Sequence, residues 1–308
     1  MASGMALALL CAAPLEARGD GECRFPPTKP VTLKDMGPCK FDLDDLSFAG
    51  EPAQQALCLL NPVEKIGKLG PPLEKLPEVL APRVGRSFDL PDRDAVRSFL
   101  REQNLEQNFE TYLSRPVSHA QDNDPLARSA RYFVIHDTSS PNFGGRPWPQ
   151  QIDFDSKINN LARYSCSNNI ERAHIFINRS GEILIGHDYE IPWRATKFEM
   201  ATNFSSALKG LFLHNELIQP RRRFPGRGRH NDFLAPEPGF TSAQYDRLAL
   251  VYVFASVRAQ FWLIPAYHAV IDEGIYDKHD DPQNFKLGAF TNSLEKLLER
   301  LRKPANRS

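Results

Sequence analysis

The feature that most constrains this chain is the run Arg131-Tyr-Phe-Val-Ile-His136-Asp-Thr138-Ser-Ser140. Four apolar residues in succession, Tyr132 to Ile135, read as a strand that belongs inside a sheet. It ends by presenting a histidine and then small hydroxyl residues. A strand delivers its last side chain to one edge of the sheet, where loops can shape a cleft. A neutral imidazole there can serve as a metal ligand or a general base near pH 7.

From about residue 126 onward, strands alternate with helices. Ala173-His-Ile-Phe-Ile-Asn178 and Glu182-Ile-Leu-Ile185, joined through Arg179-Ser-Gly181, read as a hairpin. Gly210 to Ile218 is a further strand. Thr241-Ser-Ala-Gln244 is a capping box that opens a long apolar helix through Ala259. Leu263-Ile-Pro precedes His268 as a turn or short edge strand, and Asn292 to Leu301 is an amphipathic terminal helix. Asp153-Ser-Lys-Ile begins like a capped helix. The order predicts an α/β fold, a central mixed β-sheet flanked by helices on both faces.

Before residue 126 the chain is Pro-rich with little periodicity. Exceptions are a short helix from Pro52 to about Leu60, and a helix capped by Asp92 that runs through Val96 and Leu100 towards Glu110. Residues 18–125 therefore read as an accessory N-terminal region, and 126–308 as the main domain. Met1 to Ala13 resembles the apolar core of a secretory signal, with a cleavage region at Pro14 to Ala17. This implies an exported protein, periplasmic or extracellular. No run is long enough to be a transmembrane segment. The 308 residues include 38 basic and 38 acidic side chains, a balance that argues against nucleic acid as a partner. After export, Cys23, Cys39, Cys58 and Cys166 permit two disulfides, with Cys39–Cys58 the preferred pair and Cys23–Cys166 the other.

Eight histidines are present. His136, His268 and a carboxylate of Asp280-Asp281-Pro282 can converge from strand-edge loops as three metal ligands that leave one open position. The spacing alone does not single out this set.

Several motifs add to it. Val134-Ile-His136-Asp-Thr138 resembles the strand-ending I-H-x-T element of the type 2 N-acetylmuramoyl-L-alanine amidases, the zinc hydrolases related to peptidoglycan recognition proteins. The Ala173–Ile183 hairpin is similar to that family's A-H-F-x-I-x-x-D-G-x-I, and Leu211-Phe-Leu-His-Asn-Glu216-Leu-Ile218 to its I-G-I-E-L strand. Phe240-Thr-Ser-Ala-Gln-Tyr245 resembles its Y-T-x-x-Q helix start. His268 with Asp281-Pro282 occupies the place of its H…K-x-D-P loop. The resemblance begins near residue 126.

It implies Zn2+ held by His136, His268 and Asp281, with Asp280 as the competing third ligand because the loop after His268 is long. It implies Glu216 as the group that handles the proton of the attacking water. It further implies His279 or Lys278 as stabiliser of the oxyanion, with His279 preferred. His174 is expected to line the cleft or pack in the hairpin, and His187 and His214 to be structural. The implied reaction is hydrolysis of the amide between N-acetylmuramic acid and L-Ala in peptidoglycan or muropeptides. The alternatives are a non-catalytic peptidoglycan-binding protein and a zinc amidase acting on another acyl-amide. The basic loop Gln219–His230 reads equally as a surface for stem-peptide carboxylates and as a solvated connection, and Trp148 and Trp193 as groove or core residues.

Overall fold

The computed structural model describes residues 37–164, 173–204 and 206–302. The signal-like segment and Cys11, Cys23 and Cys166 lie outside the described residues. The expected Cys39–Cys58 disulfide is formed, with its Cα atoms 5.8 Å apart.

The chain opens with a small antiparallel hairpin, β1 (Phe41–Asp42) and β2 (Ser47–Phe48), then α1 (Pro52–Leu59). The helix expected from Asp92 to Glu110 is two helices, α2 (Arg93–Glu102) and α3 (Glu106–Leu113). Asp92 caps the first as read, its carboxylate accepting from Asp94 N at 2.7 Å. The break falls at Asn104, which has φ 53°. Asn adopts this left-handed conformation more readily than most residues, and it ends a helix there. The single turn α4 (Ala120–Asn123) leads into the main sheet.

That sheet is mixed and five-stranded. Its strands are β3 (Tyr132–Asp137), β4 (Ile175–Ile177), β5 (Ile183–Ile185), β6 (Phe212–Leu217) and β7 (Ile264–Tyr267), in the spatial order β5-β4-β6-β3-β7. Only the β4–β5 hairpin is antiparallel; β4, β6, β3 and β7 run parallel. Every residue of β3 is buried, because both faces of the sheet are covered. Phe133 packs edge-on against Tyr252 on one face, with ring centroids 5.2 Å apart. Tyr132 stacks on Phe212 at 5.0 Å on the other. Each such burial contributes roughly 2 kcal/mol.

The first face is covered by α5 (Ser242–Ala259), which packs in turn on α7 (Leu287–Arg302). The capping box forms as read: Gln244 N donates to Thr241 Oγ1 at 3.1 Å, and Thr241 N to Gln244 Oε1 at 3.2 Å. The helix α7 begins at Leu287, five residues before the expected start. The opposite face is covered by the β1–β2 hairpin, by α1 and by aromatic side chains such as Phe198. Tyr132 Oη ties these together, accepting from Phe48 N and donating to Gln55 Oε1, both at 2.8 Å. The described part of the N-terminal region thus shares one continuous core with the sheet.

No α-helix forms at Asp153. Its carboxylate instead accepts from Arg179 Nε at 2.7 Å. Asp155 folds back to accept from Lys157 N at 2.8 Å, a local bond that competes with helix formation. Only the short turn Leu161–Tyr164 is helical in this stretch.

Candidate metal centre

The parallel strands β3, β6 and β7 all end at the same sheet edge, where ligands of open α/β sheets bind. His136 is the penultimate residue of β3 and Glu216 lies directly beside it in the β6 register. His268 follows β7 immediately and begins the one-turn helix α6 (His268–Ile271). Asp281 comes from the loop before α7, and its carboxylate accepts from Asp137 N at 3.1 Å. His136, His268 and Asp281 are all buried, and their ligand atoms form a cluster able to hold a metal ion.

The hydrogen-bond network assigns the lone pair of His136. His214 Nε2 faces the buried Glu199 carboxylate at 3.2 Å, so that nitrogen carries the proton. His214 Nδ1 is then an acceptor, and it takes the proton of His136 Nε2 at 3.0 Å. His136 Nδ1 is left as a lone pair. His268 lies between two carboxylates, with Nε2 3.0 Å from Asp272 Oδ2 and Nδ1 3.1 Å from Asp281 Oδ2, so Nδ1 becomes a metal ligand on giving up its proton. The two Nδ1 atoms are 2.8 Å apart, His268 Nδ1 is 3.0 Å from Asp281 Oδ1, and His136 Nδ1 is 3.7 Å from Asp281 Oδ2. Tetrahedral ligands around an ion with bonds near 2 Å are separated by about 3.3 Å. The three groups, 2.8 to 3.7 Å apart, bracket that spacing and could hold a metal ion between them.

The charge states agree. Burial, with the fields of His268 and His214, holds His136 well below the usual imidazole range, so it stays neutral. Burial also opposes a charge on His268, but the carboxylates of Asp281 and Asp272 outweigh it and lift that group well above its usual value. Asp281 is lowered despite burial, chiefly by His268. The cluster therefore stabilises positive charge at its centre, whether proton or metal. Asp272 and the His214–Glu199 pair form the outer shell that fixes ring orientation and tautomer.

The remaining expected site residues separate into two groups. Glu216 Oε1 is 3.9 Å from His136 Nδ1, beside the cluster and beyond direct hydrogen-bond reach. The His279 ring tilts over His268 with centroids 4.3 Å apart, and its Nδ1 lies 2.9 Å from Asp272 Oδ2. Lys278 is drawn away from the cluster by an ion pair with Glu273. Asp280 also turns away, to Gln283 Nε2 at 2.7 Å and Arg221 at 3.4 Å. Of the two competing pairs, the structure brings His279 and Asp281 to the cluster and leaves Lys278 and Asp280 outside.

The basic loop differs from both readings at its first arginine. Arg221 is fully buried, and its Nη2 donates to both Asp137 oxygens at 2.8 and 2.7 Å. Arg222 lies over Trp148, 5.3 Å from the ring centroid, while residues 225–230 are exposed. Trp193 is buried and stacks on His187 at 4.2 Å. His174 packs in the hairpin, its Nδ1 accepting from His214 N at 3.0 Å.

His214, Glu199, Asp272 and Tyr164 were missed as functional candidates. The first had a signal: it lies two positions before Glu216 on the same strand face. Asp272 is one helical turn after His268. Tyr164, whose Oη is 2.8 Å from Ser140 Oγ, is raised by burial and also by the Glu216 charge.

The loop that carries Asp281 leans on the N-terminal region. Ile66 N donates to Gln283 Oε1 at 3.0 Å and Asn284 N to Val63 O at 2.9 Å. Gly67, at φ 70°, passes so close that a Cβ there would lie 2.2 Å from the Cβ of Asp280. No protein-family model, curated protein or solved structure matches this chain.

Proposed function

We propose that this chain is an exported zinc-dependent N-acetylmuramoyl-L-alanine amidase with the type 2 amidase fold, acting on peptidoglycan or its muropeptide fragments. The observation that carries the reading is the convergence of His136 Nδ1, His268 Nδ1 and the Asp281 carboxylate at the C-terminal edge of parallel strands, with Glu216 alongside. The ligands come in the chain order that the motif resemblance implies. Two imidazoles and one carboxylate suit zinc, with a fourth position left for water or substrate.

Zinc bound there would polarise the scissile carbonyl and bring a water to near-neutral acidity. Glu216 would take that water's proton and return it to the leaving amine of L-Ala. His279, held through Nδ1 by Asp272 at the partly exposed side of His268, would steady the oxyanion. Tyr164, bonded to Ser140 on the adjoining loop, would set that loop's position beside the cluster.

The test is a digest of purified sacculi with the full chain, with and without chelator, read by mass spectrometry. Chelator-sensitive release of stem peptides with a free L-Ala amino group is the expected result, abolished by His136→Ala. Binding to sacculi without release would instead favour the non-catalytic alternative. Cleavage confined to unrelated N-acyl amides would point to the other-substrate reading.

A further inference from the structure

A cleft opens at the end of the sheet away from the metal cluster, where β3 and β7 begin. It is a broad, open depression of about 620 Å³, and its walls include Pro116, Val117, Arg128, Ser129, Arg131 and Phe261. Among the described residues, three arginines and no acidic residue line it, in a chain whose acidic and basic residues are equal in number.

The arginines are not equivalent. Arg258 is buried and already committed, to Asp188 and to the carbonyls of Arg115 and Pro116. Among the described residues Arg128 pairs with Asp45 in an exposed contact at 3.4 Å. The Arg131 guanidinium makes no ion pair or hydrogen bond among the described residues, and its Nε is buried without an acceptor. Nothing among the described residues therefore pairs with its charge, and an oxyanion in the cleft would do so. Planar guanidinium groups match phosphate oxygens in a way a lysine does not. The Ser129 hydroxyl adds a neutral donor. The volume falls in the range of small-molecule sites, about 300–1,000 Å³, and exceeds what a bare phosphate fills. The apolar wall of Pro116, Val117 and Phe261 suits the esterified part.

We propose that this cleft binds a phosphate ester, with the phosphate between Arg128 and Arg131 and its organic group against Val117 and Phe261. The shared chemistry is the esterified phosphate, whether soluble or in a lipid headgroup. The site is separate from the metal cluster and does not depend on the amidase reading.

Calorimetric titration of the full chain with glycerol 3-phosphate and with inorganic phosphate tests it. Co-sedimentation with phosphatidylglycerol vesicles, against phosphatidylcholine controls, tests the lipid source. Expected is saturable binding of the ester, tighter than inorganic phosphate and weakened by salt, or selective sedimentation with the anionic vesicles. Either result supports the site and identifies the source. Arg131→Met and Arg128→Glu should each weaken binding at least tenfold. Arg128 is exposed, so its variant remains decisive should Arg131→Met fail to fold. Absence of saturable binding to every probe, or binding undiminished in Arg128→Glu, overturns the proposal.

Discussion

His268 is shared between two carboxylates with different duties. Asp281 faces the nitrogen that would meet the metal, while Asp272 faces the other and also contacts His279. Asp272→Asn replaces an acceptor-only group with an amide that cannot serve both rings equally. Outer-shell losses of this kind weaken metal binding by about 10–100-fold. Competition with a fluorescent chelator should show a loss of that size, and an unchanged affinity would remove Asp272 from the metal site. The same residue sets a pH dependence. His268 is raised well above its usual value by the carboxylates of Asp281 and Asp272, whereas His136 is depressed and is already neutral. A metal that binds where His268 is protonated expels one proton, from His268. Affinity should rise about tenfold per pH unit until the His268 value is reached, then level off. Calorimetry in buffers of different ionisation enthalpy counts that proton; a count of zero would contradict the assignment. In the chelated protein the sign for stability is opposite. The raised His268 contributes stability that is full below the unfolded value and is lost as pH climbs through the folded one.

At the level of elements, local rules were sufficient where local forces decide. The apolar run Tyr132–Ile135 and the Thr241–Gln244 box were legible because strand burial and end-capping are written in neighbouring residues. The break at Asn104 and the missing helix at Asp153 were not, since Arg179, far along the chain, claims the Asp153 carboxylate. His136, His268, Asp281 and Glu216 could be named from motif order. Glu199 could not, because it reaches His214 from an irregular segment with no periodicity to mark it. The choices between Asp280 and Asp281, and between Lys278 and His279, needed the positions of Arg221 and Glu273. The close passage at Gly67 gives an element-scale prediction. Gly67→Ala combines a left-handed φ, which costs about 1–2 kcal/mol for an L-residue, with a clash against Asp280. It should lower thermal stability by at least that amount and weaken metal binding by displacing the neighbouring Asp281. Normal affinity in a destabilised variant would show that the loop yields without moving its ligand.

Across the whole molecule, the N-terminal region is joined to the sheet by shared core packing, while the Cys39–Cys58 link closes a loop within that region. A disulfide closing a loop of this length contributes about 3 kcal/mol in the chain-entropy account. The composition did not foretell this joining, because a Pro-rich segment without periodicity reads as detached until its tertiary partners are seen. The seam of Val63, Ile66, Gln283 and Asn284 then acquires a further meaning. Its two backbone amides hold together a segment that carries no ligand and a loop that carries one, so they act as isotopic clocks for the seating of that loop. Zinc loading should slow deuterium uptake at Ile66 and Asn284 together, and chelation should speed both, although neither residue touches the cluster. Uptake that ignores the metal would mean the seam serves the fold alone.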